Sequence, residues 1–331
     1  MYWWLSICFV VSFFSALWLI PSWIKKAEER NLSGKDMHKS SGKQVAEAGG
    51  ICVIFGFLMG LLTYIAFETF YFKVQRISLL VMGVLLTVFI ITIIGLIDDI
   101  LGWKKGLKQW QKPLLTLLAT LPMIVLNVGV HIITIPFFGA VNLGLVYTLI
   151  FIPLAIVGTS NGFNLLAGYN GLEAGLGGII LAFLGFFAWK NNLSWVTVIA
   201  YCMVFALLAF YLFNKYPAKI FPGDTMTYTV GALIACVAIL GNIEKAALIM
   251  FIPFFLEFIL KARGKFKKES FAKLNEDGSL SMPYEKIYGL EHFAIKFLSK
   301  IKKKVYEKDV VWFLFFIEFA LGIIALLTIL K

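Results

Sequence analysis

Three short stretches carry residues able to do chemistry in a chain otherwise dominated by hydrocarbon. Asn161-Gly-Phe-Asn164-Leu-Leu-Ala-Gly168-Tyr-Asn170-Gly-Leu-Glu173-Ala-Gly175 sets amides and a carboxylate among glycines. Asp98-Asp99 places two carboxylates side by side after Ile93-Ile94-Gly95-Leu96-Ile97, and Phe221-Pro-Gly-Asp224-Thr225 presents another behind a turn. Such groups are costly at the edge of a bilayer unless something pairs with them. Adjacent carboxylates suit metal, proton or phosphate chemistry. Asp224 is a hard oxygen ligand; Mg²⁺ takes one or two protein oxygens and leaves the rest to substrate phosphates, and Asn164 is the candidate second oxygen. Plainer readings stand beside these: an acidic helix end meeting the interface, Asp224 as a helix N-cap, and Lys104, Lys105, Lys108 and Lys112 as topology markers. Lys112, just before Pro113, is the best single candidate for a phosphate contact.

The elements that must position these residues are membrane helices. The 331 residues are 60% hydrophobic and only 15% charged, which excludes an ordinary soluble domain. Apolar windows recur at about 2–24, 48–69, 77–97, 113–128, 145–160, 172–189, 194–213, 226–241, 245–260 and 310–330. The expectation is an all-α polytopic protein of about ten transmembrane helices. It forms a single catalytic domain over 1–331 with a larger loop at about 261–309. The first window lacks a basic leader and a small-residue cleavage site, so it reads as a retained span with the amino terminus outside.

Charge then orients the bundle. Connectors after odd-numbered windows hold 25 of the 30 Lys and Arg residues, and the positive-inside rule makes them cytoplasmic. Every polar stretch above follows an odd-numbered window, as do the basic loops at 25–46 and 261–309. They therefore converge on one cytoplasmic-facing site built from loops. The net charge of +11 is largely topological, and with no soluble basic domain present nucleic acid is excluded as a partner. Cys8, Cys52, Cys202 and Cys236 fall inside apolar windows without paired spacing and read as small buried hydrophobes.

The combination of Asp98-Asp99, Asn161-x-x-Asn164-x-x-Ala-Gly168-x-Asn170-Gly-Leu-Glu-Ala-Gly175 and Phe221-x-Gly-Asp224 resembles the polyprenyl-phosphate N-acetylhexosamine-1-phosphate transferases. It is most similar to the eukaryotic and archaeal dolichyl-phosphate GlcNAc-1-phosphate transferase branch. The resemblance implies transfer of a sugar-1-phosphate from UDP-GlcNAc to a membrane polyprenyl or dolichyl phosphate with release of UMP. It further implies Asn164 and Asp224 as ligands of Mg²⁺, with Mn²⁺ as the alternative ion. Asn170 and Phe221 match uridine-binding positions, with Asn161 and Gly168 in the same motif. Asp98 and Asp99 match the acidic pair associated with the acceptor phosphate, and Lys112 a phosphate-contacting lysine. Gly34-Lys-Asp36-Met-His38-Lys39 followed by Ala46-Glu47-Ala-Gly49-Gly50 resembles the donor-side segment, in which Glu47 is expected near the nucleotide sugar.

One departure is visible. Where the eukaryotic members carry an Arg-His-Arg cluster, this chain has Arg263-Gly-Lys265-Phe-Lys267-Lys268-Glu269-Ser270. Lys267 and Lys268 are aligned with the cluster and expected to contact phosphate, a solvated basic loop being the alternative.

Other classes and residues are weighed on the same terms. A bacterial-type transferase using undecaprenyl phosphate is the alternative enzyme. A transporter would place polar residues at mid-membrane, often in inverted repeats, and the polar residues here sit on one face instead. His38 is expected as a solvated loop histidine, His131 as external, and His292 on an amphipathic surface helix over 285–305. The expected setting is an archaeal cell membrane, or endoplasmic reticulum in a eukaryote, with both termini external. The partners are the two substrates and the bilayer; a homodimer is left open.

Overall fold

The computed structural model describes residues 3–39, 42, 44–73, 78–102, 106–135 and 139–329. Lys104 and Lys105 lie outside the described residues. Among those described, eight helices are long and apolar enough to cross a membrane, so this is an integral membrane protein. The windows near 2–24, 48–69 and 77–97 become α1 (Leu5–Glu29), α2 (Gly50–Ala66, prolonged by a π-helical turn at Phe67–Tyr71) and α3 (Ser78–Leu101). Later windows become α6 (Ile152–Leu165), α7 (Leu172–Lys190), α8 (Ser194–Asn214), α9 (Gly223–Gly241) and α13 (Glu307–Ile329).

Two windows behave differently from the expectation of continuous spans. The 113–128 stretch divides into α4 (Gln111–Leu118) and α5 (Leu121–Val125), and the 245–260 stretch into α10 (Glu244–Met250) and α11 (Ile252–Arg263). In each pair a proline, Pro122 or Pro253, stands in the first turn of the second helix, where its missing N–H is tolerated but cannot continue the helix before it. Three short hairpins lie between helices: β1 (Ser33–Lys35) with β2 (Gln44–Ala46), β3 (Ile132–Ile135) with β4 (Gly139–Asn142), and β5 (Lys273–Leu274) with β6 (Leu280–Ser281). A last short helix, α12 (Leu290–Leu298), precedes α13.

Helix α9 is the centre of the bundle. In its spanning window 83% is buried, against 28% for α1, because α2, α3, α6, α7 and α8 all pack on it. Lipid is as apolar as leucine, so close packing and interhelical hydrogen bonds carry this association. Ser160 Oγ donates to the Tyr228 carbonyl at 3.0 Å, joining α6 to α9, and Thr92 Oγ1 lies 3.1 Å from Thr229 Oγ1, joining α3 to α9. Ser12 Oγ donates to the Cys202 carbonyl at 2.6 Å, joining α1 to α8. At Gly95 the backbone of α3 approaches α9 so closely that a Cβ would lie 2.7 Å from the Asp224 carbonyl oxygen. All four cysteines are free and buried, as their apolar settings predict.

Two histidine expectations are corrected. His38 is 5% exposed instead of solvated, its ring 4.4 Å from that of Tyr169 and its Nε2 accepting the Ala272 N–H at 3.2 Å. His292 is fully buried, because α12 is shorter than the expected surface helix and is drawn inward by α11. There Glu257 accepts the Leu290 N–H at 2.6 Å, and His292 Nδ1 accepts the Tyr288 N–H at 3.3 Å.

Candidate active site

The site is organised around the first turn of α9. The loop ahead of it is pinned to the end of the first connector: Phe221 N–H donates to the Ala46 carbonyl at 2.7 Å, and Gly49 and Gly50 donate back to the Phe221 and Pro222 carbonyls at 2.9 Å. Asn214 Nδ2 holds the Ile220 carbonyl at 2.8 Å. Gly223 then turns the chain with φ +68°, and an added Cβ would be 2.6 Å from the Asp99 carboxyl carbon. A side chain there would be strained and would collide.

Asp99 occupies that space. It accepts the Asp224 N–H at 2.6 Å, the Thr225 N–H at 3.1 Å and the Thr225 hydroxyl at 2.5 Å. A helix start leaves backbone donors unpaired, and α9 supplies no side-chain cap of its own. Asp224 is therefore not an N-cap, as its sequence position allowed, but a first-turn residue. The cap comes from α3.

Asp98, one residue earlier and so about 100° round the helix, faces α4. Its Oδ2 lies 2.8 Å from Lys112 Nζ, and its Oδ1 accepts the Leu107 N–H. The same ammonium reaches Asp224 Oδ2 at 2.7 Å and sits 5.5 Å above the Tyr228 ring. Lys112 thus bridges two carboxylates from different helices, offsetting a repulsion that a membrane setting would magnify.

The polar patch is not wholly a connector. Asn161 and Asn164 remain helical in the last turns of α6, and only the chain after Leu165 leaves the helix. Asn161 Nδ2 donates to Thr116 Oγ1 at 3.0 Å and to the Val157 carbonyl at 2.9 Å, tying α6 to α4. Asn164 Oδ1 accepts the Thr227 hydroxyl at 2.8 Å. Glu173 Oε1 accepts the Gly168 N–H at 2.7 Å, closing the glycine-rich turn.

Three clefts meet at Asn164. A polar one of about 300 Å³ has Glu47, Asn164, Gly168, Asn170, Phe221 and Asp224 in its wall. An apolar one of about 760 Å³ runs along Trp110, Phe251, Phe254 and Phe258, with Lys112, Asn161 and Asn164 at its polar end. The third, about 420 Å³, holds Lys261, Lys267 and Lys268 together with Asn164. Lys267 and Lys268 are exposed, and Lys268 Nζ lies 4.7 Å from the Tyr284 ring centre. Burial, and then the charge of Asp224, push the Glu47 carboxyl above the ordinary glutamate range.

Sequence reasoning missed several participants. Thr227 and Tyr228 follow Asp224 at i+3 and i+4, a spacing that shares a helix face and could have flagged them. Glu307 is missed as well: it gathers with Asp36 and His38 of the expected donor-side segment behind Asn170, with His38 Nδ1 3.5 Å from Glu307 Oε1. No local signal joins residues so distant in the chain.

Known proteins resemble this chain over most of its length. The model of glycosyl transferase family 4 matches residues 81–242. A Saccharolobus solfataricus protein, provisionally named a UDP-N-acetylglucosamine–dolichyl-phosphate N-acetylglucosaminephosphotransferase, is 37% identical over 292 residues, covering 88% of this chain and 86% of that protein. The Dictyostelium discoideum protein of the same name is 30% identical over 282 residues, 73% of this chain and 67% of that one. A phospho-N-acetylmuramoyl-pentapeptide-transferase of Streptococcus equi is 33% identical over 249 residues, 72% of this chain and 73% of that one.

Proposed function

The chain belongs to glycosyl transferase family 4, and on that premise we propose that it transfers GlcNAc-1-phosphate from UDP-GlcNAc to a membrane polyprenyl phosphate of the dolichyl type. The observation that carries this reading is the Lys112 bridge between Asp98 and Asp224, set where a polar cleft and an aromatic-lined apolar cleft share Asn164. A water-soluble nucleotide sugar suits the first cleft and an isoprenoid tail the second.

In the reaction an acceptor phosphate oxygen attacks the β-phosphorus of UDP-GlcNAc. A new P–O bond forms, the bond to the bridging oxygen breaks, and that oxygen keeps the electron pair as UMP leaves. Both reactants are anionic, so Lys112 offsets charge as they meet. Asp98, directed at Lys112, is the group that orients the acceptor phosphate or takes its proton. Asp99 is committed to the start of α9 and acts as a positioning residue. Asn170 and Phe221 take the uridine and Glu47 the sugar side, while Lys267 and Lys268 approach phosphate from the third cleft.

The residues present fit Mg²⁺, with Mn²⁺ as the alternative. Asp224 and Asn164 offer hard oxygens to one cleft, and among the described residues no group of three His, Cys, Asp or Glu side chains could hold an ion by itself. That donor set suits an ion completed by diphosphate oxygens. When bound it would supply charge stabilisation on the transferred phosphoryl group.

The interrupted pairs α4–α5 and α10–α11 would complete a ten-helix bundle, with the basic connectors cytoplasmic and both termini external in an archaeal cell membrane. The Saccharolobus relative supports this setting. Measuring UMP release from UDP-GlcNAc with polyprenyl phosphate and Mg²⁺ tests the function. A muramoyl-pentapeptide donor run in parallel separates the GlcNAc reading from the peptidoglycan-type one, and no release with either donor would refute both.

A further inference from the structure

Asn170 is held by its own donors. Its backbone N–H donates to Glu307 Oε1 at 2.7 Å, and its side-chain Nδ2 donates to Asp36 Oδ2 at 3.1 Å and, more weakly, to Glu307 Oε2 at 3.4 Å. The two acceptors come from opposite ends of the chain: Asp36 follows β1, and Glu307 opens α13. Carboxylates only accept hydrogen bonds, so an amide facing two of them must turn its NH₂ toward them and its oxygen away. Chemistry alone dictates that orientation.

The carboxylates are themselves fixed. Lys39 Nζ lies 2.7 Å from Asp36 Oδ2, and His38 Nδ1 lies 3.5 Å from Glu307 Oε1. His38 is wedged between Tyr169 and Phe271 with ring centres 4.4 and 5.7 Å away. Asn170 is 5% exposed, and that remaining surface is in the wall of the polar cleft. Among the described residues no hydrogen bond is made to its Oδ1. A single acceptor atom is what Asn170 offers a ligand.

We propose that Asp36 and Glu307 are specificity-determining positioning residues: by pinning the NH₂ of Asn170 they present Oδ1 alone to the donor's base. The site then accepts a pyrimidine carrying a proton on ring N3, as uracil does, and rejects one with a lone pair there, as in cytosine. The proposal rests on the reading of the polar cleft as the nucleotide site. Uracil N3–H donates to Oδ1; cytosine sets two acceptors against each other, leaving both desolvated and unpaired. An unrestrained asparagine would serve either base by turning its amide over. The paired carboxylates remove that option.

The test uses the full chain in detergent with UMP, CMP and N3-methyl-UMP as ligands, and UDP-GlcNAc and CDP-GlcNAc as donors. The wild type is expected to bind UMP at least about tenfold more tightly than the other two nucleotides, the size of one hydrogen bond lost. Asp36→Asn combined with Glu307→Gln lets both partners offer an N–H to a turned-over Asn170, so the preference of that double variant for UDP-GlcNAc over CDP-GlcNAc should fall about tenfold, through KM with kcat little changed. Asp36→Asn alone, which changes the shorter of the two contacts to Asn170 Nδ2, is the second variant if the double variant is not recovered folded, and its preference should fall in the same direction. A wild type that binds N3-methyl-UMP as well as UMP overturns the proposal, and so does unchanged base preference in a variant that still binds UMP. A wild type that releases no UMP from UDP-GlcNAc refutes the functional reading instead.

Discussion

Asp99 on α3 accepts the backbone N–H of Asp224 at 2.6 Å, so the carboxylate of one helix fixes where the carboxylate of another begins. Asp98 beside it makes no such contact and pairs with Lys112 at 2.8 Å. Two neighbours of identical chemistry are thereby given different work.

Their substitutions should separate accordingly. Asp99→Ala strips α9 of its cap and is expected to cost roughly 2 kcal/mol, as for hydrogen bonds to a charged group, together with activity. Asp98→Asn keeps the fold, with UMP release falling by about 10²-fold or more, the range for loss of a proton-handling group. Thermal unfolding in detergent read beside UMP release checks both. An Asp98→Asn enzyme within a few-fold of wild type would remove that residue from the chemistry.

Asp224→Ala and Asn164→Ala should each abolish UMP release while the protein still inserts, and chelating divalent cations should do the same reversibly. Because the protein offers so few oxygens, Mg²⁺ is expected to bind measurably only with the nucleotide sugar present. Calorimetry with and without UDP-GlcNAc gives the answer, and full activity in either variant defeats the metal assignment.

Gly95→Ala changes no polar group, yet its Cβ would meet the Asp224 carbonyl oxygen at 2.7 Å. Overpacking of this kind costs about 1–3 kcal/mol and displaces Asp98 and Asp99 together. Stability and turnover should therefore drop in parallel. Undiminished activity would show that the α3–α9 approach has slack that the geometry denies.

Glu47→Gln should raise the melting temperature near neutral pH. Burial and the Asp224 charge lift the Glu47 carboxyl in the folded state, so the wild type loses stability as pH rises through the interval between the unfolded and folded values. Below about pH 4.3, the ordinary glutamate value, both states are protonated and the two proteins should converge. A difference that persists into acid would assign the effect to packing.

Much of the site is legible in the sequence because its chemistry depends on residue types that hydrocarbon does not tolerate without cause. Asp98-Asp99, Asn164 and Asp224 stand out against apolar flanks, and the structure gathers them. Which carboxylate caps and which faces the lysine is not legible, since adjacent residues differ only by the helix turn between them. The breaks at Pro122 and Pro253 could have been read from the prolines themselves, but a window average conceals a residue that ends one helix and opens another. The backing of Asn170 is legible only as a donor-side segment holding Asp36 and His38, without Glu307 or the contact itself. Asp36 and Glu307 meet only through tertiary packing, and a buried His38 has the same sequence signature as an exposed one.

Asn164 stands in the walls of the polar and the apolar cleft at once, with its amide oxygen already held by Thr227. A wall common to two chambers cannot be reshaped for one occupant without altering the other's room. Under the proposed occupancy, any coupling of the two substrates through that wall must be reciprocal: whatever the lipid did to the grip on the nucleotide, the nucleotide would do to the grip on the lipid. With such a coupling, the apparent affinity for the soluble donor would gauge how densely the bilayer is stocked with acceptor.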